Sequence, residues 1–138
     1  MIVIYYLGSF TGVFVRDMNA ALEFYVGKVG LAQGADGEYE PGLPWVDLAP
    51  ANGGDTFKLI QAGAQFESRV GTNSAICLLT ENLQESHETL TQQGVTFDWG
   101  PVSVPWGGSE AQFADVDGNR ILLVQPSEQS RDQPYKRP

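Results

Sequence analysis

Few residues in this chain have side chains suited to chemistry. There is one histidine, His87, and one cysteine, Cys77. A lone cysteine allows neither an intrachain disulfide framework nor a thiolate zinc cluster. His87 stands four residues after Leu83 and three before Leu90, so it borders an inward face of a helix and reads as structural. The stretch DVDGN (115–119) resembles the start of a calcium loop, but Pro126 occupies the place, eleven residues after Asp115, where a bidentate Glu is needed. A tight hairpin turn explains Asp117-Gly118. No P-loop, GxGxxG fingerprint or GxSxG elbow is present. The remaining candidates are Trp45, Asp47, Lys58 and Trp106, with Glu38, Glu40 and Glu110 as rim carboxylates.

Composition narrows the partners of such residues. Apolar residues make up 42% of the 138 positions, enough to bury a core, so wholesale disorder is excluded. Seventeen acidic residues against eight basic ones give a net charge of -9. That surface suits cations and disfavours nucleic-acid phosphates. The apolar start, MIVIYYLGSFTGVFV, has no basic residue before Arg16 and is interrupted by Gly8, Ser9, Thr11 and Gly12. It reads as strand, with no membrane segment, and the expected compartment is the cytoplasm.

The elements that position these residues come in a repeated order. Ser9 to Arg16 reads as a strand, and Asp17 caps a helix in MNAALEFYVGKVG that Gly30 can end. AQGADGEYEPGLP reads as a short edge strand and loop. WVDLAP (45–50) and TFKLIQ (56–61) read as paired strands around the turn ANGGD. The order then recurs: strand NSAICLLT (73–80), a helix capped by Asn82 and closed by Gly94, strand VTFDW (95–99), a Gly/Pro loop PVSVPWGG, strand EAQFAD, turn DVDGN and strand RILLVQ (120–125). The letters repeat as well. GDTFKLIQ from Gly54 aligns with GNRILLVQ from Gly118 at an offset of 64, with Gly, Leu and Gln identical and Asp55 facing Asn119. The expectation is an α+β fold of two tandem βαβββ modules, about 9–61 and 73–126, within one domain spanning 1–126, and a polar tail at 127–138.

VFVRDMNAALEFYVGKVGL, WVDLAP with GGDTFKLIQ, and above all FADVDGNRILLVQP resemble the glyoxalase / bleomycin-resistance / extradiol dioxygenase group, the vicinal oxygen chelate superfamily. The resemblance covers Ser9 to Pro126. It implies a mixed sheet curled around a cavity, helices on its convex side, and a homodimer. Similar enzymes hold a divalent metal through the first and last strands of each module. Those positions fall here on Phe10, Lys58, Ala75 and Leu122, none of which offers the carboxylate, imidazole or thiolate that such metals take. Neither metal nor cofactor is therefore expected.

Period-two alternation from those positions predicts the cavity lining. Phe10, Phe14, Lys58, Ala75, Cys77 and Leu122 face the hollow, joined by Trp45 and Asp47. Phe10, Phe14 and Leu122 either fill it or touch a ligand. Lys58 is either a snorkelling residue or an anchor, and Cys77 reads as a small buried apolar group. Trp106 either packs or stacks on a ligand at the cavity mouth, and Trp99 reads as core or module-interface packing. The expected function is metal-independent binding of an aromatic or cationic small molecule, as in bleomycin-resistance proteins. The rivals are a glyoxalase-like lyase, isomerase or dioxygenase with a divergent site, and a non-catalytic partner-binding module.

Overall fold

The computed structural model describes residues 1–5 and 10–128. The expected Ser9 start of the first strand, and all of the polar tail after Glu128, lie outside them. Two four-stranded mixed sheets carry the fold. The first has strand order β1-β4-β3-β2, from β1 (Gly12–Val15), β2 (Ala32–Glu40), β3 (Leu43–Ala49) and β4 (Phe57–Gln61). The second has order β5-β8-β7-β6, from β5 (Ile76–Leu79), β6 (Phe97–Ser103), β7 (Ser109–Ala114) and β8 (Arg120–Gln125). In each, the first strand of the module pairs parallel with the last, Gly12 beside Lys58 and Cys77 beside Leu122. This is the expected α+β fold of tandem modules. The strands form two open sheets rather than one closed curl.

Alternation along the strands sorts the side chains onto two faces. Val13, Val15, Val46, Leu48, Leu59, Ile76, Phe113, Ile121 and Leu123 are buried in one core shared by both modules. The helices pack on this face. Helix α1 (Met18–Leu22) starts where the Asp17 carboxylate accepts from Ala20 N, and α2 (Leu83–Gln92) where Asn82 accepts from Glu85 N. The repeated glutamine now has a physical role. Gln61 Oε1 accepts from Met18 N at 2.9 Å, and Gln125 Oε1 accepts from Leu83 N at 2.7 Å. Each module thus uses the end of its last strand to satisfy an orphan N–H of its own helix.

Several expected boundaries move. Rather than one long α-helix, α1 widens into a π-helical stretch at Glu23–Lys28. There Phe24 turns toward Phe113 on the second sheet and Tyr25 toward Phe57 on the first. The expected edge strand and loop at AQGADGEYEPGLP is the nine-residue β2 plus the start of β3. β6 runs on through Pro101 and Val102 to Ser103, into the expected loop. A 3-10 helix at Ala64–Arg69, in the segment between the modules, was not anticipated.

The turn between β7 and β8 joins the modules. Asp115, buried, receives four hydrogen bonds: from Tyr25 OH at 2.7 Å, Asn119 Nδ2 and N at 2.9 Å each, and Asp117 N at 2.9 Å. Asn119, 1% exposed, also donates to Phe14 O and accepts from Asn73 N. Asn73 Nδ2 donates to Gly12 O, and Arg16 N donates to Asp117 Oδ2. The outer edge of β1 is therefore closed by side chains of the second module.

Two outcomes follow. Asp115→Ala leaves several buried donors without an acceptor, and should cost about 3 kcal/mol in urea unfolding, with Tyr25→Phe costing about 1 kcal/mol. Burial pushes the Asp117 carboxyl up, reinforced by Asp115 and only partly offset by Arg16. The native state then holds this proton more tightly than the unfolded chain, so its contribution is present at low pH and lost as pH rises through the native value. Asp117→Asn keeps an acceptor for Arg16 N. It should raise Tm relative to wild type at pH 7, with the gain vanishing near the unfolded carboxylate value of 3.8.

Candidate functional site

The faces turned away from the helices hold the candidate residues. On the first sheet, Trp45 lies across Gly37 on the neighbouring strand. A Cβ at Gly37 would come within 2.9 Å of the indole, so glycine is what lets the ring lie flat. Lys58 Nζ bonds Asp47 Oδ1 at 2.7 Å and sits 3.6 Å from the centroid of the Trp45 ring and 5.6 Å from that of Phe10. Lys58 and Asp47 are partners across the β3–β4 ladder, which fixes their approach. Their side chains are only 20% and 25% exposed. The ammonium is thus neutralised by a carboxylate and backed by an aromatic face.

The first sheet's face continues under the 3-10 helix. Tyr39 OH donates to Gln61 O at 2.7 Å and accepts from Gly63 N at 3.0 Å, anchoring the start of that helix. Phe66 then packs on Phe14, with ring centroids 4.9 Å apart, and faces Tyr39 at 6.0 Å. The Arg69 guanidinium lies 4.7 Å from the Phe14 centroid and 6.0 Å from that of Phe66. The result is an aromatic trough with two basic groups laid on its rings.

The second sheet presents a different face. Leu122, Val124, Glu110 and Gln112 alternate with the buried residues of β7 and β8. Trp106, exposed in the turn after β6, donates from Nε1 to Glu110 Oε1 at 3.3 Å. Trp99, expected in the core or at the module interface, is 40% exposed, because it falls on the register shifts that separate β6 from its regular pairing with β7. Cys77 is exposed rather than buried, since it alternates with the buried Ile76 and so lies on the outer face beside Leu122, and among the described residues β5 pairs on one side only. A cleft of about 750 Å³ opens along that bare edge. It runs between β5, α2 and the turn at 50–56, with Ala75, Cys77, Leu79, Lys28 and Asp55 on its walls.

The predicted residues thus divide. Phe10, Phe14, Trp45, Asp47 and Lys58 come together on the first sheet's face, with Phe10 exposed just before β1. Ala75 and Cys77 line the cleft, Leu122 lies on the second sheet's face, and Trp106 is at its margin. Gly37, Tyr39, Phe66 and Arg69 were missed as site residues. The alternation of Tyr39 with the exposed Glu38 and Glu40, and the aromatic-plus-basic FESR, were their only signals. The positions of the family's metal ligands do not fit a metal. Phe10, Ala75 and Leu122 have no donor side chain, and Lys58 is an ammonium already bonded to Asp47. Among the described residues, no group of three His, Cys, Asp or Glu side chains is placed to hold one.

The surroundings of Cys77 have a measurable consequence. Partial burial, then the Glu110 carboxylate, push its thiol up. At pH 7.5 iodoacetamide should alkylate Cys77 more slowly than free cysteine, and Glu110→Gln should quicken the reaction. Equal rates in the two proteins would remove Glu110 from the account.

The comparisons agree with this architecture. A family model, Glyoxalase/Bleomycin resistance protein/Dioxygenase superfamily, matches residues 7–123. TnmS3, an antibiotic binding protein from Streptomyces sp. CB03234, is 32% identical with a TM-score of 0.73, covering 89% of this chain and 100% of its own. The uncharacterized protein YetH of Bacillus subtilis (strain 168) is 32% identical over 111 residues, 80% of this chain and 91% of YetH. FosX, a fosfomycin resistance protein from Listeria monocytogenes, shares the fold at 16% identity, with a TM-score of 0.66 over 98% of this chain and 100% of its own. By sequence and by fold, the chain belongs to the glyoxalase/bleomycin resistance protein/dioxygenase superfamily.

Proposed function

We propose that this protein binds an aromatic small molecule on the outer face of its first sheet, without a metal, as a homodimer in which a second copy covers that face. The observation that carries the reading is Trp45, flat on Gly37, with Lys58 against its ring and the Phe10 ring 5.6 Å from the same ammonium. Broad ring faces, with few polar groups to orient the guest, are the usual make-up of a small-molecule site. The relative described as antibiotic binding points the same way. The aromatic part of the expected ligand has the stronger support. A positive charge on the ligand finds no carboxylate free beside Trp45, because Asp47 is bonded to Lys58. Glu110, on the second sheet, is where a cationic group would be met.

Tryptophan fluorescence tests the reading. Titration with N-phenyl-1-naphthylamine should quench the wild-type emission and raise Tm, and Trp45→Phe should remove most of the quenching. Sedimentation of the same samples should give twice the chain mass. Absence of both quenching and thermal shift, across neutral, anionic and cationic bicyclic aromatics, would sink the proposal.

A further inference from the structure

We infer that Arg69 is a specificity-determining residue of this trough, selecting aromatic ligands that carry an anionic group such as a carboxylate, phenolate or sulfonate. The inference rests on the aromatic-ligand reading above and adds the chemical class.

The chain has eight basic residues, and the described structure assigns carboxylate partners to several of them. Arg16 meets Glu67 and Asp117, Lys58 meets Asp47, and Arg120 meets Asp98. Arg69 makes no ion pair among the described residues, although the protein is strongly acidic. Glu67, two residues before it on the same 3-10 helix, is turned to Arg16 instead. Glu40, at the end of β2, is bonded by Gln65 Nε2. The carboxylates close in sequence to Arg69, or against its helix, thus have other partners.

What holds Arg69 is ring contact. Its guanidinium lies over Phe14, with Phe66 beside it, while the residue as a whole stays exposed. No carboxylate among the described residues takes up its N–H groups. Those donors form the fork that matches a carboxylate or sulfonate. The aromatic base also limits the rotamer freedom that a free arginine would lose on binding.

Register sets the scale of the ligand. Phe14 pairs with Ile60, and Ile60 with Trp45, so Phe14 and Trp45 lie in one row two strands apart. Strand spacing makes that span about 10 Å. A bicyclic or larger ring system lying along the row from Trp45 would bring a pendant anion to Arg69. Lys58 cannot select in this way, because Asp47 already satisfies its charge at 2.7 Å. Of the two basic groups on this face, Arg69 is therefore the one placed to meet an anionic group.

The test compares two fluorescent probes with one skeleton. These are 8-anilinonaphthalene-1-sulfonate and N-phenyl-1-naphthylamine, which lacks the sulfonate. Arg69→Gln should weaken the sulfonate probe about tenfold, the size of one lost charge-assisted hydrogen bond. It should leave the neutral probe within about twofold, the spread expected of a surface substitution. Arg69→Lys should retain part of the preference, and Arg69→Glu should abolish it. If Arg69→Gln and Arg69→Glu shift both probes alike, or neither, the anion subsite is overturned while the aromatic trough stands. If wild type binds neither probe, the trough reading falls and this inference falls with it.

Discussion

One buried carboxylate governs how the two halves of this molecule meet. Asp115 forms no ion pair among the described residues and is stabilised by four donors: a tyrosine hydroxyl, an asparagine amide and two backbone N–H groups. A buried charge is tolerable only when satisfied in this way. The demand runs in both directions. Tyr25 must lie in the core with its hydroxyl aimed across the module boundary, and its own ionisation is strongly opposed by burial and by Asp115. The π-helical stretch puts Tyr25 there while Phe24 fills the space toward Phe113. Asn119, oriented by Asp115, reaches the backbone of β1. The first sheet's edge is thus closed from within the same chain.

The repeat makes the other edge instructive. Position 119 corresponds to position 55, where the chain has Asp in place of Asn. A carboxylate cannot donate to a strand carbonyl as Asn119 donates to Phe14 O. Asp55 is exposed in the Gly53–Gly54 turn, and the cleft beside β5 opens at that place. Thr80 N bonds to β8 through Val124 O, so the outward backbone groups of β5 belong to Cys77 and Leu79. Leu79 is 72% exposed there. Among the described residues this edge has no strand beside it, and a strand edge with a large apolar side chain is a surface that proteins ordinarily pair or cover. The modules are therefore alike in fold and unlike in how each is finished.

Much of this was legible in the sequence because it rests on short-range rules. Asp17 and Asn82 are N-caps, and the positive φ of Gly30 and Gly94 marks the ends of the helical segments as read. Alternation in FKLIQ and RILLVQ separated the core face from the outer face, and the order of modules followed from the repeat. What escaped depends on contacts distant in sequence. β2 has glycines at 34 and 37 that weaken any strand signal, yet those gaps accommodate Asp47 and Trp45 from the next strand. Phe66 and Arg69 lie in a segment that looks like a linker until Phe14 is seen beneath them. The apolar neighbours in ICLL suggest burial of Cys77, whereas its outer-face position, on a strand that among the described residues pairs on one side only, leaves it exposed.

Among the described residues, several chemistry-bearing groups are committed to structural partners. A general base must be free to take a proton, and a nucleophile needs a depressed pKa or an adjacent base. Asp47 is held by Lys58, and Asp115 accepts four hydrogen bonds. The Cys77 thiol is pushed up, away from the thiolate. His87 packs against Phe97 at 4.3 Å on the helix side of its sheet, remote from the outer faces. The rings of Trp45, Phe10 and Phe66, and the donors of Arg69, need no proton transfer to act as proposed, with Phe14 buried beneath Phe66 and Arg69. On the proposed reading, their energetics are those of stacking, desolvation and charge-assisted hydrogen bonding.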